Sequence, residues 1–187
     1  DPSYTDPRGS GQYSDYVGMV LVGMDYERDL YVRHITRKKM TYSETIDEMF
    51  RIYTDTKYKD IKNMKIILEV IGTKSLSYEL ANEQRRRNTW LPITEIKSRT
   101  ESKEERIRGL APFYEYGHIY HIKECPNLEE LAYEMLHFPR GAHDDIIDPL
   151  ATVLEVASPP TNKIGNARDD ERRKVQQYKP RSLITGV

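Results

Sequence analysis

The sequence predicts an α/β domain built as a mixed sheet flanked by helices. Three observations predict it. Over residues 1–157, apolar β-rich runs alternate with segments whose apolar residues recur at helical spacing. The first two runs follow one another directly, as an antiparallel hairpin at the side of a mixed sheet does. The short stretch "MKIILEVIG" is continuously apolar apart from one charge, the pattern of a strand buried in a parallel sheet.

Each element follows in order. "YVGMVLVGMDYERDLYVRHITRKK" holds two runs of β-branched and aromatic residues around "DYERD" and predicts a hairpin of long strands. "TYSETIDEMFRIYTDTK" predicts a helix, with Ser43 as candidate cap and Ile46, Met49, Phe50 and Tyr53 on one face. After the "MKIILEVIG" strand, "SLSYELANEQRRRN" predicts a helix and "WLPITEI" a short strand. "SKEERIRGLAPFYEYG" predicts one helix, begun by Ser102 and ended near Gly117, and "HIYHI" a further strand. "PNLEELAYEMLHF" predicts a helix with Pro126 near its first position. "FPRGAHDDIIDPLATVLEVA" supplies the last helix, its packing face marked by Ile147, Leu150, Val153 and Leu154. Pro149 is tolerated early in a helix because first-turn N–H groups lack partners, so the start is expected between Ala142 and Asp145. From Ser158 the chain combines "SPP", isolated glycines and dense charge, so residues 158–187 read as a loosely packed tail or linker.

Composition narrows the function classes. Among 187 residues, 37% are hydrophobic and the formal charge is −1, which fits one globular domain and does not by itself announce a nucleic-acid binder. No apolar run approaches a membrane span, and "DPSYTDPRGSGQY" lacks the basic and apolar regions of a signal peptide. The lone Cys125 cannot form an internal disulfide, and no Cys/His spacing suggests zinc, so a reducing, intracellular setting is expected. No GxxxxGK[ST] loop is present to hold a nucleotide. Basic clusters stand at Arg85, Arg86 and Arg87, between Lys97 and Arg108, and in the tail; each fits a solvated face as well as a phosphate contact.

The acids raise the functional question. Asp144 and Asp148, four apart, share a face on a helix, while Asp145 sits about 100° around the axis. Read alone, they fit favourable charge at the positive end of a helix dipole. Glu69 is harder to explain that way, because a carboxylate inside "IILEVIG" is costly unless paired, hydrogen-bonded or bound to a cation. It stands near the carboxyl end of its strand, where α/β sheets bind ligands, though pointing to solvent there is the structural alternative. Asp1, followed by Pro2, would stand at a strand end if a strand preceded it. Asp1, Glu69 and the Asp144/Asp145 pair on separate elements would make an oxygen-rich pocket suited to Mg²⁺ or Mn²⁺.

Taken in order, "DPSYT", "SDYVGMVLVG", "IILEVIG", "KEERIRGLAPFYEYGHIYHI" and "LEELAYEMLHFPRGAHDDIIDPLA" resemble the nuclease domain of the large terminase subunit of tailed bacteriophages, from Asp1 to about Ala157. "FPRGAHDDIID" is the most distinctive part. The resemblance implies a ribonuclease H-like (RuvC-like) fold and an endonuclease that cuts concatemeric double-stranded viral DNA with two divalent metal ions, Mg²⁺ or Mn²⁺. It places the metal ligands at Asp1, Glu69 and Asp144, with Asp145 as a catalytic neighbour that binds or orients the metal. His143 resembles the family's His before the acid pair; against metal ligation stands the reading of a helix cap or a residue that orients carboxylates or phosphates. Lys103 and Arg106 match positions facing DNA or the active site, and are otherwise helix-surface charges. It further implies as partners a terminase ATPase domain lying upstream, a small terminase subunit and a portal, no membrane, and action in the host cytoplasm as a non-virion assembly factor. Pro149 departs from the family's usual small helix former. Another ribonuclease H-like nuclease, such as a junction resolvase, and a non-catalytic DNA-gripping or motor-docking module are the alternatives.

Overall fold

The computed structural model describes residues 16–61, 63–69, 75–96 and 101–160, with the backbone alone of Ser75 and of 175–176. The chain divides into two compact units, one of residues 1–17 and 38–100 and one of residues 18–37 and 101–187. Both are mixed α/β. The predicted alternation is present, with strands distributed over two sheets: β1 to β6 contribute one four-stranded and one two-stranded sheet.

The second unit carries the four-stranded mixed sheet. β1 (Val17–Met24) and β2 (Leu30–Lys38) form the predicted hairpin around "DYERD". Asp25 closes the turn, its Oδ1 accepting the N–H groups of Glu27 (2.9 Å) and Asp29 (3.0 Å). β2 then pairs in parallel with β5 (Ile119–Ile122), Leu30 opposite Ile119 and Val32 opposite His121. β5 pairs antiparallel with the two-residue strand β6 (Val175–Gln176), so this piece of the predicted tail joins the sheet. The rest of the tail prediction, beyond residue 160, lies outside the described residues.

Helices α3 (Lys103–Arg108), α4 (Leu110–Glu115), α5 (Leu128–His137) and α6 (Ile147–Val156) flank this sheet. Their core is one cluster in which Leu30, Val32, Leu131, Ile146 and Leu150 are 0% exposed. Each such side chain contributes about 1.5–3 kcal/mol by its burial, so packing dominates over end effects in holding these short helices. Ser102 caps α3 as predicted, in a reciprocal box with Glu105. The single helix expected from Ser102 to Gly117 is broken at Gly109. Pro112, third in α4, has no N–H to give the carbonyl of Arg108, so the first helix cannot run through with its bonds intact. Gly117, at φ 75°, ends α4 where a left-handed residue is needed. Pro126 precedes the cap of α5; Asn127 holds the cap position and donates its side-chain amide to the carbonyl of Ile35 on β2 at 2.8 Å.

His121 is a buried titrating group of this sheet. It is 2% exposed, its Nε2 is 2.9 Å from the Tyr114 hydroxyl, and burial pushes its pKa down to about 4. The neutral ring therefore supports the fold fully at and above the unfolded value near 6.5, and that support is lost as pH falls towards about 4, roughly 3 kcal/mol in all. Urea unfolding of the parent and of His121→Gln between pH 7 and pH 4.5 checks this. The parent should lose stability more steeply than the variant across that window; parallel slopes would refute the assignment.

The first unit holds α1 (Tyr42–Thr54), a single 3₁₀ turn at Thr56–Tyr58, β3 (Ile66–Glu69), α2 (Ser75–Arg87) and β4 (Ile93–Ile96). β3 and β4 pair in parallel, Ile66 opposite Ile93 and Glu69 opposite Ile96. Thr41, not Ser43, caps α1: its hydroxyl takes the N–H of Glu44, and the Glu44 carboxylate returns to the N–H of Thr41 at 2.8 Å. Ile46, Met49 and Phe50 are buried on the predicted face, joined by Ile52. Only Leu68 of β3 is buried, so this strand is less enclosed than its apolar run predicts.

Candidate active site

The acids of "HDDIID" lie on the second unit, around the head of α6. That helix begins at Ile147, later than the predicted start, so Asp144 and Asp145 precede it and only Asp148 occupies its first turn. The cause is local. Pro149 has no N–H, the N–H of Asp148 goes to the Asp144 carbonyl at 3.2 Å, and no side chain of the segment itself caps the helix. The cap comes from α5: Glu134 Oε2 accepts the N–H groups of Ile146 (2.8 Å) and Ile147 (3.0 Å). A carboxylate suits that place, since free N–H groups and the helix dipole both favour negative charge.

Three basic side chains hold the acids. Arg106, buried at 7% exposure, donates to Asp148 Oδ1 from Nε (2.9 Å) and Nη2 (2.5 Å), with Glu155 4.0 Å away. Arg37, at the end of β2, donates to Asp145 Oδ2 from Nε (3.2 Å) and Nη2 (3.0 Å). The same Nε stands 3.3 Å from Glu134 Oε1, which nevertheless lacks an aligned hydrogen bond among the described residues because that N–H points to Asp145. Burial raises the Glu134 carboxyl above its ordinary value, against the lowering effect of the Ile146 and Ile147 N–H groups and of Arg37. Lys103, first residue of α3, donates from Nζ to Asp144 Oδ1 at 2.8 Å and lies 3.8 Å from Asp148 Oδ2. Asp144 thus differs from its neighbours: its partner is a flexible ammonium 47% exposed, not an arginine fork, and its own side chain is 37% exposed. The expected repulsion among these acids is offset base by base.

The turn that carries Asp144 and Asp145 also lies against β1. A Cβ added to Gly18 would fall 1.7 Å from the Asp145 carbonyl oxygen, so only glycine permits this approach. His143 is exposed, with Nδ1 3.6 Å from Asp145 Oδ2.

The other expected site residues fall elsewhere. Asp1 lies outside the described residues. Glu69 ends β3 on the first unit, half-buried, whereas Asp144 and Asp145 belong to the second. Arg85, Arg86 and Arg87 form the last turn of α2 on the first unit. Arg85 donates to Asn82 at 3.1 Å, and Arg86 and Arg87 both bond Glu83, whose carboxyl is held down to about 2 by those two guanidinium groups. Arg87 also pairs with Asp47 and lies 4.4 Å over the Phe50 ring, joining α2 to α1. Arg106 is buried and bonded to Asp148, so it is not a solvated helix-surface charge.

Asp144 Oδ1 already carries a positive charge, the ammonium of Lys103. Asp145 retains Oδ1 beyond its bonds to Arg37. Among the described residues no group of three or more His, Cys, Asp or Glu side chains is arranged to hold a metal ion. No helix among them is long and apolar enough to cross a membrane. A scan against models of known protein families gives no match, and a search of curated proteins finds no similar sequence.

Arg37 and Glu134 are the residues that the sequence reading missed. Glu134 left a signal: in "LEELAYEMLHF" it falls three residues after buried Leu131 and beside buried Met135, an acid on the core face. Arg37 left none that separates it from Lys38 and Lys39.

Proposed function

We propose that the protein is a divalent-metal-dependent DNA endonuclease of ribonuclease H-like architecture, of the kind that trims concatemeric viral DNA in terminase packaging. The observation that carries the reading is Asp144: it heads a helix in a cluster where the other two acids are locked by arginines, and it alone stays half-open and held by an exchangeable ammonium. The ordered resemblance over "IILEVIG", "KEERI" and "FPRGAHDDIID" supports it.

In this reading Asp1, Glu69 and Asp144 would hold two Mg²⁺ or Mn²⁺ ions, which would supply an activated water and charge neutralisation for phosphodiester hydrolysis. The chain's own work is positioning. Glu134 sets the height of the Asp144–Asp145 turn by holding the N–H groups behind it, Arg37 fixes Asp145, and Arg106 ties α3 to α6 so that Lys103 reaches Asp144. An ATPase domain, a small subunit and a portal would be its partners in the host cytoplasm.

Incubation with supercoiled plasmid and with linear and branched duplexes, in Mg²⁺ or Mn²⁺ and then in excess EDTA, tests the reading. Nicking or linearisation that requires the ion, without preference for branched duplex, is expected. Strict preference for branches would move the assignment to a junction resolvase. Absence of ion-dependent cleavage would sink the enzyme reading.

A further inference from the structure

We propose that Lys103 is a displaceable counter-ion, whose ammonium holds Asp144 in the cation-free protein and yields that carboxylate when a divalent ion binds. This rests on the reading of Asp144 as a metal ligand. The contrast among the three acids points to it. Asp145 and Asp148 are each held through two N–H groups of one guanidinium, a fixed planar fork. Asp144 has a single ammonium at 2.8 Å on a four-carbon stem, 47% exposed. A compact point charge on a flexible stem exchanges with another cation more readily than a planar guanidinium that grips one carboxylate oxygen through two N–H groups.

The backbone of Lys103 is nonetheless fixed. Ser102 caps the helix at its foot, Ile107 is 3% exposed in the core, and Arg106 is bonded to Asp148. The side chain can therefore swing while its anchor stays. Asp148 Oδ2, 3.8 Å from Nζ, gives the released ammonium a second acid and keeps it beside the site, where a phosphate oxygen would arrive.

Mn²⁺ affinity of the whole chain, measured by electron paramagnetic resonance without DNA, tests this. The proteins are the parent, Asp144→Asn, Lys103→Met, Lys103→Gln and, as control for lost positive charge, Lys123→Met on the exposed turn after β5. The parent should bind Mn²⁺ and Asp144→Asn should lose its tightest site. Both Lys103 variants should bind about fivefold tighter than the parent, the upper range for release from a partly exposed ion pair, and Lys123→Met should match the parent. Equal or weaker binding by the Lys103 variants, with Asp144→Asn still deficient, would overturn the counter-ion role and leave Asp144 as ligand. Equal tightening by Lys123→Met would overturn it too, as a general charge effect. Parental Mn²⁺ binding by Asp144→Asn, or none by any protein, would overturn the ligand assignment and the counter-ion role together.

Discussion

Replacing Asp144 by Asn is expected to lower ion-dependent cleavage by roughly 100- to 1,000-fold while the protein still folds, the loss that follows removal of one well-placed charge from a reaction centre. Asn keeps the size of the side chain and one oxygen. What it loses is the negative charge that binds the cation and the ion pair with Lys103. That pair is partly exposed, so its removal costs at most about 1 kcal/mol. The activity loss should therefore far exceed any change in stability. Plasmid cleavage rates in Mn²⁺, set beside thermal midpoints of parent and variant, measure both. A folded Asp144→Asn protein that cuts at the parental rate would return the acids of "HDDIID" to the role of charges near a helix end.

Glu134→Ala should have the largest effect on the fold itself, about 3 kcal/mol. The alanine leaves the N–H groups of Ile146 and Ile147 without their acceptor, in a core where both residues are almost fully buried. Glu134→Gln should lose less, since an amide oxygen can still accept those bonds. The two variants also expose the sign of the pH effect. Because burial raises the Glu134 carboxyl in the folded state, its contribution is complete below the ordinary carboxylate value and is lost as pH rises through the raised one. The gap in stability between parent and Glu134→Gln should therefore narrow as pH is raised. Denaturant unfolding of the three proteins at several pH values checks this; a gap that widens with pH would show that the ion pair with Arg37 outweighs burial.

Much of the fold was legible because it rests on local rules. The hairpin around "DYERD", the cap at Ser102, the buried face of α1 and the order of strands and helices all follow from spacing and capping chemistry within a few residues. The differences arise where distant residues decide. α6 begins late because its cap is a glutamate twelve positions earlier on α5, and Pro149 leaves the intervening turn without a helical bond to continue. The 103–115 segment splits because Pro112 removes a bond that periodicity cannot register. Of the site, the sequence marked Asp144 and Asp145 but not the arginine and glutamate that hold the turn, since Arg37 is adjacent to them only in three dimensions.

Gly18 carries one more consequence. It has no functional group, belongs to a strand and lies far in sequence from Asp144, Asp145 and Asp148, yet the carbonyl of Asp145 occupies the space that any side chain at position 18 would need. Among homologues that share this turn, position 18 should be as invariant as a catalytic residue. An invariance of that kind would record the steric footprint of the neighbouring loop, and reading it as chemistry would assign the strand a role that belongs to the turn beside it.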